Sequence, residues 1–470
     1  MYKDAKFVST DNLLYNISIV VVYKIYNIHM FKIFNNYKSE FILLALILFI
    51  LFGLGICISF SLPLFLGLIP AYCMLFIYLL TLKNNFSQLI FISLKGIFMV
   101  KEVVGILIGV GIMLPSFALS GTLNEILNIF IFTLNPKYLA FFSFVFASIL
   151  SLIIGSITGT LCILSAPIMA LSNSVHYPSY IVAGALVSGA MLGDRSSIFS
   201  SALRLTAICV GIDVKTHFMA ILPTTIVAVI LILIVYSIFL PIFFEIHINS
   251  VHITSDYLIK VDYFKLLPIL ILFVLFIKKV PLFFSFLFSS IFALFISDVN
   301  SSINLIYHIF YGINIWPFNH LSGIFSMLPL VALVCVSSAF NSLLQKSRIL
   351  DSLVKRIINP KSYSQSVFRV IVLNLISSML FCNQALPLML AAQQLRNEWR
   401  RNFKLSLLSR VIADSAHVFP GIVPWNLLAQ ICAILLGVKP MYYIHFAFLL
   451  WILPIINLLF SYFAQKDKIK

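Results

Sequence analysis

The sequence predicts an all-α polytopic membrane protein built from two inverted-topology repeats, each with a re-entrant hairpin and a broken transmembrane helix. Three observations predict it. Apolar stretches of membrane-crossing length recur along the chain, two of them are too long and too polar in the middle to cross straight, and the basic residues alternate between loops in a pattern that hairpins reconcile.

The first observation is compositional. Of 470 residues, 61% are hydrophobic and only 10% charged, with a mean hydropathy of +1.09. Charged residues ordinarily supply about 25% of a water-soluble chain. Apolar stretches recur from Phe41 to Phe463, and roughly 20 such residues cross a hydrocarbon core about 30 Å thick. The lipid bilayer is therefore the expected surrounding. The net charge of +16 invites nucleic acid, but Lys and Arg lie in short loops and tails, with no basic face interleaved with aromatics. That placement is what the positive-inside rule produces, so no nucleic-acid partner is expected. Cys57, Cys73, Cys162, Cys209, Cys335, Cys382 and Cys432 all fall in apolar segments without a C-x-x-C, and read as small buried hydrophobes. No metal or other resident cofactor is expected.

The elements follow in order. Residues 1–40 are mixed and polar, lack a signal-peptide core with a cleavage site, and read as a cytoplasmic N-terminal extension; Met1 and Met30, which begins MFKIFNN, both remain candidate starts. The first repeat, 41–241, holds spans at 41–60, 61–82 and 103–121, a hairpin at 138–173, and spans at 179–211 and 216–241. Segment 86–101 reads as an amphipathic interfacial helix. An external loop, 242–261, leads to the second repeat, 262–463, with spans at 262–277, 280–297 and 321–344, a hairpin at 366–395, and spans at 404–437 and 441–463. Residues 464–470 are a cytoplasmic tail.

Segments 179–211 and 404–437 would each run about 50 Å as straight helices, well beyond the membrane. Gly193-Asp194-Arg195-Ser196-Ser197 interrupts the first, and Asp414-Ser415-Ala416-His417 the second, with Pro420, Gly421 and Pro424 breaking it further. Broken backbone at membrane depth is tolerated only against protein or a water-filled cavity. Transporters place their substrate sites there.

The hairpins are argued from charge. Segment 366–395 turns near Cys382-Asn383-Gln384, preceded by Lys346, Arg348, Lys355, Arg356, Lys361 and Arg369 and followed by Arg396, Arg400, Arg401 and Lys404. A single crossing would leave one strongly basic loop outside, whereas a hairpin keeps both inside. Segment 138–173 turns at Gly155-Ser156-Ile157-Thr158-Gly159-Thr160 between flanks that both read as external. With both termini cytoplasmic, Lys83, Lys95, Lys101, Lys215, Lys278 and Lys279 fall inside, and the loops at 242–261 and 298–320, poor in basic residues, fall outside. The two hairpins then open to opposite sides, as an inverted repeat requires. The sequence echoes this: G-D-R-S-S-I-F…A-I-C-V-G-I from Gly193 against A-D-S-A-H-V-F…A-I-L-L-G-V from Ala413.

Buried charge at membrane depth costs about 2.5–3.5 kcal/mol per group on insertion scales and usually marks function. Asp194 and Asp414 occupy equivalent points in the two broken helices. A carboxylate in a partly dry cavity binds a proton or a small cation but not both, which makes these two the candidate ion and proton coupling groups. Each also has an ordinary structural use, as a half-helix cap or as the partner of Arg195 or Arg410. Candidate oxygen ligands are Thr158, Thr160, Ser196, Ser197, Ser201, Asn383, Gln384, Ser415 and Asn426, since hard cations prefer all-oxygen surroundings. For any one of them, packing and interhelical hydrogen bonding is the commoner use. His417 is a candidate proton relay, or a histidine satisfied locally.

At these same residues the chain resembles the NhaC-type Na+/H+ antiporter family of the ion-transporter superfamily, over roughly 100–460. That family carries G-D-K-x-S-P-L-S-D-T-T in its first broken helix, where this chain has Gly193-Asp194-Arg195-Ser196-Ser197-Ile198-Phe199-Ser200-Ser201. Its L-S-R-x-x-E-D-S-G…P-W-N is matched by Leu408-Ser409-Arg410-Val411-Ile412-Ala413-Asp414-Ser415-Ala416…Pro424-Trp425-Asn426. The resemblance implies a secondary transporter of the bacterial inner membrane that exchanges Na+, or another monovalent cation, for H+ by alternating access. A homodimer is compatible with it. The chain departs from the pattern at Ser201 and Ala413, where the family has Asp and Glu, and at Leu161-Cys162, where Ser-Trp often follows Gly-Thr. Two fewer carboxylates imply weaker binding of small cations. An organic-acid or amino-acid exchanger of the same family is the alternative. An integral membrane transferase is a distant one, for it needs a polar catalytic cluster at one interface, and the sequence offers none. The chain is not expected to be an enzyme.

Overall fold

The computed structural model describes residues 41–463 except 43, 61, 244–261, 298–301, 316, 348, 350–361 and 382. The expected extension at 1–40, nearly all of the loop at 242–261 and the tail at 464–470 lie outside the described residues. Helices dominate. Among the described residues, seven are long and apolar enough to cross a membrane, or eight if the bent pair Leu427–Leu436 and Pro440–Phe446 is one span. The chain is therefore a multi-pass, all-α membrane protein. Its outer surface carries exposed Phe52, Phe60, Ile77, Ile208, Ile230 and Phe295, side chains that a bilayer covers and water would not.

The first half contains α1 (Leu44–Ser59), α2 (Leu64–Thr81), α3 (Phe86–Met99), α4 (Lys101–Leu119) and α5 (Thr122–Thr133). Next come α6 (Leu139–Ile154), α7 (Ile157–Ser174), α8 (Ser179–Ser196), α9 (Ser201–Val210) and α10 (Val214–Ile234). A π turn at Val235–Phe239 extends α10 into the short α11 (Leu240–Phe243). The second half contains α12 (Leu267–Ile277), α13 (Leu282–Ile296), α14 (Ser302–Tyr311) and α15 (Ile324–Ser347). It ends with α16 (Tyr363–Leu380), α17 (Ala385–Asn402), α18 (Leu405–Ala413), α19 (Leu427–Leu436), α20 (Pro440–Tyr443) and α21 (Phe448–Phe463). A short ribbon pairs β1 (Ile313–Ile315) antiparallel with β2 (Asn319–Leu321).

Both long segments break where their polar residues predict. Helix α8 ends at Ser196 and α9 starts at Ser201, whose N-cap Ser200 accepts from the amides of Ala202 and Leu203. Helix α18 ends at Ala413 and α19 starts at Leu427 under the Asn426 cap, with a 3-10 turn at Phe419–Gly421 between them. The expected span at 441–463 opens with a segment bent 91° from α19 before α21 runs on. Helices α5 and α14 and the β-ribbon were not legible, because Asn, Glu and Gly punctuate segments only 10 to 12 residues long.

The hairpin segments are helix pairs with tight turns. Arms α6 and α7 have 16 and 18 residues, and α16 and α17 have 18 each, or about 24–27 Å of helix. Gly155 makes the first turn at φ +75, a left-handed conformation that side chains rarely adopt. Ser156 then caps α7.

Helix α8 lies against α6 backbone to backbone. A Cβ on Gly189 would fall 2.5 Å from the Phe144 carbonyl oxygen, and one on Gly193 would fall 2.1 Å from the Ser151 carbonyl carbon. The Gly189-x-x-x-Gly193 stripe thus permits close membrane packing, fastened where Ser151 Oγ donates to the Ala190 carbonyl at 2.5 Å. The halves also pack reciprocally: α7 on α19 and α17 on α9, α10 on α18 and α21 on α8, and α10 on α21. Helices α2, α3, α4, α13 and α15 form a flanking layer.

Candidate functional site

The two helix breaks meet in the interior. Packing of α8 on α6 delivers Asp194 and Arg195 from the last turn of α8 to the center of the molecule. Packing of α18 against α9 and α10 delivers Asp414, which caps α18, to the same place. The acids then take crossed partners, each from the other half of the chain.

Asp414 is sealed. Its side chain is 0% exposed, as is that of Arg195, and the Arg195 Nη2 donates to Asp414 Oδ1. The second oxygen accepts from Asn457 Nδ2 of α21 at 2.6 Å. Thr224 Oγ1 of α10 stands 3.4 Å from Oδ1. The guanidinium also donates to Thr225 Oγ1 at 2.6 Å and to Thr224 Oγ1 at 3.2 Å, while its Nε is buried without a hydrogen bond. A desolvated pair of this kind holds together because removing either charge strands the other.

Asp194 is different. Its side chain keeps 12% of its exposure, and its Oδ2 lies 2.9 Å from His417 Nε2, whose own side chain is 2% exposed. The His417 carbonyl accepts from Gln384 Nε2 at 3.0 Å. The Asp194 backbone carbonyl accepts from Ser200 Oγ, which ties the end of α8 to the cap of α9. One carboxylate oxygen therefore faces a titratable ring, and the group keeps some accessible surface. That combination suits competition between a proton and a cation.

Most of the other predicted oxygens have structural uses. Ser196 Oγ donates to Leu192 O at 2.6 Å, and Ser197 Oγ to Leu152 O of the hairpin at 2.6 Å. Thr160 Oγ1 donates at 2.9 Å to the carbonyl of Ser156, the N-cap of α7, and Thr158, two residues earlier, is half-buried. Ser415 Oγ donates to Val411 O at 2.5 Å and accepts from Asn374 Nδ2 at 2.8 Å. Asn383 Oδ1 accepts from the Ala385 amide at 2.7 Å, at the start of α17. Asn426 donates to Ser378 O and Phe381 O, clamping the α16–α17 turn to α19. Ser201 is exposed in the first turn of α9, whereas Ala413 is buried against Leu203 and Ile221. The two positions where the family carries acids thus lie in unlike surroundings. Arg410 is buried, with Nη2 3.4 Å from the Tyr363 hydroxyl and its guanidinium over the Phe460 ring.

Thr224, Thr225 and Asn457 were not anticipated. Each is a lone polar residue, or pair, in an otherwise apolar run, I-L-P-T-T-I-V and P-I-I-N-L-L-F. The rule that intramembrane polar groups face protein would have marked them.

Two broken helices whose acids pair across the halves of a multi-pass membrane protein define a secondary transporter. The profile of the Na+/H+ antiporter family matches residues 189–465, and the chain belongs to that family. A Haemophilus influenzae protein described as an uncharacterized Na+/H+ antiporter is 23% identical over 372 residues, 74% of this chain and 79% of its own. The Na+/H+ antiporter NhaC of Alkalihalophilus pseudofirmus is 23% identical over 374 residues, 75% and 80% of the two chains. The malate-2H+/Na+-lactate antiporter of Bacillus subtilis is 22% identical over 441 residues, 90% and 94% of the two.

Proposed function

We propose that this member of the Na+/H+ antiporter family exchanges Na+, or another monovalent cation, for H+ by alternating access, with Asp194 as the coupling group. One observation carries the reading: of the two acids, Asp194 alone keeps accessible side-chain surface, at 12%, while sharing a hydrogen bond with His417. A cation arriving at the free face of the Asp194 carboxylate displaces the proton held between that carboxylate and the imidazole. Asp414 acts as the lock: with Arg195 it joins the two broken helices, and its sealed position leaves it no exchange path in this conformation.

The proposed frame is an inverted repeat over 41–241 and 262–463, termini cytoplasmic, in a bacterial inner membrane. The reciprocal packing of α7 on α19 with α17 on α9, and of α10 on α18 with α21 on α8, supports the repeat. Cation–π approach of Lys279 to Phe199, 5.4 Å from the ring centroid, supports placing the α8–α9 break toward the side that holds Lys278 and Lys279. Everted vesicles with a ΔpH-sensitive dye test the function, with Na+, Li+ and K+ offered in turn. A cation-elicited ΔpH that disappears in Asp194→Asn is the expected result. Silence with every cation but a response to organic acids would favor an organic-acid exchanger, a reading that the malate–lactate relative spanning 90% of this chain supports.

A further inference from the structure

Helix α10 buries one face: His217, Ile221, Thr224, Ala228 and Ile232. Thr224 touches the Asp414–Arg195 pair, so His217 lies about 10 Å away along the same face, seven residues at 1.5 Å each. On the proposed orientation the α10 start, with Asp213 and Lys215, is cytoplasmic. His217 therefore stands between the cytoplasm and the sealed pair. It is 0% exposed, and neither Nδ1 nor Nε2 has a hydrogen-bond partner. Buried polar atoms are nearly always paired, and an imidazole with two unmet nitrogens needs an explanation.

A local apolar contact supplies part of one. Leu203 of α9, Ile221 of α10 and Ala413 of α18 form a small cluster separate from the main core, flanked by Val214 and Phe218. These three elements come from both halves of the chain, and they close over the same stretch of α10 that carries His217.

We propose that His217 is a protonation site on the cytoplasmic arm of the transport path, loaded from cytoplasmic water when the Leu203–Ile221–Ala413 contact opens and shielded when it closes. One ring nitrogen takes a proton from cytoplasmic water and later returns it to water; only N–H and O–H bonds form or break. The groups that act on the ring electrostatically are Arg195 of α8 and His417 of the second break. The remaining charges of the elements packed around α10 are engaged elsewhere. Asp194 is held by His417, Asp414 by Arg195, Arg410 by Tyr363, and Arg204 turns its guanidinium to the Ile198 carbonyl at the exposed surface. Helix α21 adds no charged side chain. Protonating His217 places a second positive charge near Arg195, which loosens the Arg195–Asp414 lock, so loading and opening favor each other.

The inference rests on the antiport reading, and two independent measurements test it. In everted vesicles, His217→Gln or His217→Asn should accumulate normally. The cation-driven exchange rate should fall on the order of 100-fold at its optimum, the scale of a positioned acid–base group, and its pH dependence should flatten. A rate and pH profile like those of the wild type overturn the proposal while leaving antiport intact. Separately, His217→Cys in a background without other cysteines is challenged with a membrane-impermeant maleimide. Labeling in everted vesicles and protection in right-side-out vesicles support the cytoplasmic arm. Labeling only from the outer face, or from neither face under an imposed cation gradient, overturns it. The labeling result stands even if wild-type vesicles respond to no cation, the outcome that would defeat the antiport reading itself.

Discussion

Removing the Asp414 carboxylate while Arg195 remains should destabilize the folded protein strongly. Both side chains are 0% exposed, and after Asp414→Ala the guanidinium keeps only Thr224 and Thr225. Breaking a buried pair from one side costs about 3–5 kcal/mol, because a desolvated charge is left uncompensated. At about 1.4 kcal/mol per factor of ten, the folded-to-unfolded ratio falls roughly 140- to 4,000-fold. The Asn457 amide, 2.6 Å from Asp414 Oδ2, loses its acceptor as well. Replacing both charges, Arg195→Met with Asp414→Leu, should recover most of the loss, since apolar groups of similar volume substitute for buried pairs at little cost. Unfolding of the purified protein in mixed micelles of increasing SDS fraction measures both variants, and vesicle assays should find neither active. Stability of Asp414→Ala within about 1 kcal/mol of the wild type would refute the reasoning. So would a double variant no more stable than the single one, because the cost would then not be that of a stranded Arg195.

Asp194→Asn should behave oppositely, abolishing exchange at unchanged abundance: the group is partly exposed and has one side-chain partner, His417, which the amide still reaches; disappearance of the protein from the membrane would make Asp194 a structural cap instead. Gly193→Val should cost several kcal/mol or prevent folding, because the added Cβ alone falls 2.1–2.4 Å from backbone atoms of Ser151 and Leu152, which cannot give as a side-chain tip would; normal gel-filtration yield would contradict the α6–α8 contact. Ala413→Glu should lower yield sharply while Ser201→Asp should not, since the first forces a carboxylate among Leu203 and Ile221 and the second adds one to exposed surface; equal yields in an expression comparison would argue against the apolar contact. Single cysteines at Gln365 and Asn397 should label from the same, cytoplasmic, face; labeling from opposite faces would remove the second hairpin and the inverted repeat with it.

What the sequence determined by itself was everything that follows from the price of polarity in hydrocarbon, because that rule acts locally on every residue. Length and spacing of apolar runs marked the spans, and the Gly193–Ser197 and Asp414–His417 interruptions marked the breaks, which lie within a few residues of Ser196 and Ala413. The same rule made Asp194 and Asp414 stand out as acids in apolar surroundings. Their unequal surroundings were not legible. Two acids at equivalent positions look alike in sequence, and only packing decides that Asp414 meets Arg195, 219 residues away, while Asp194 meets His417, 223 away. Nor could spacing show that Ser197 and Asn426 spend their protons on carbonyls of neighboring segments. A hydroxyl's use depends on which carbonyl is near, and that is fixed by helix-on-helix contact rather than by its neighbors in the chain. His217 is the sharpest instance: a histidine two residues after Lys215 reads as the polar edge of a span, and only the closure of α9, α10 and α18 makes it a buried ring with both nitrogens unmet.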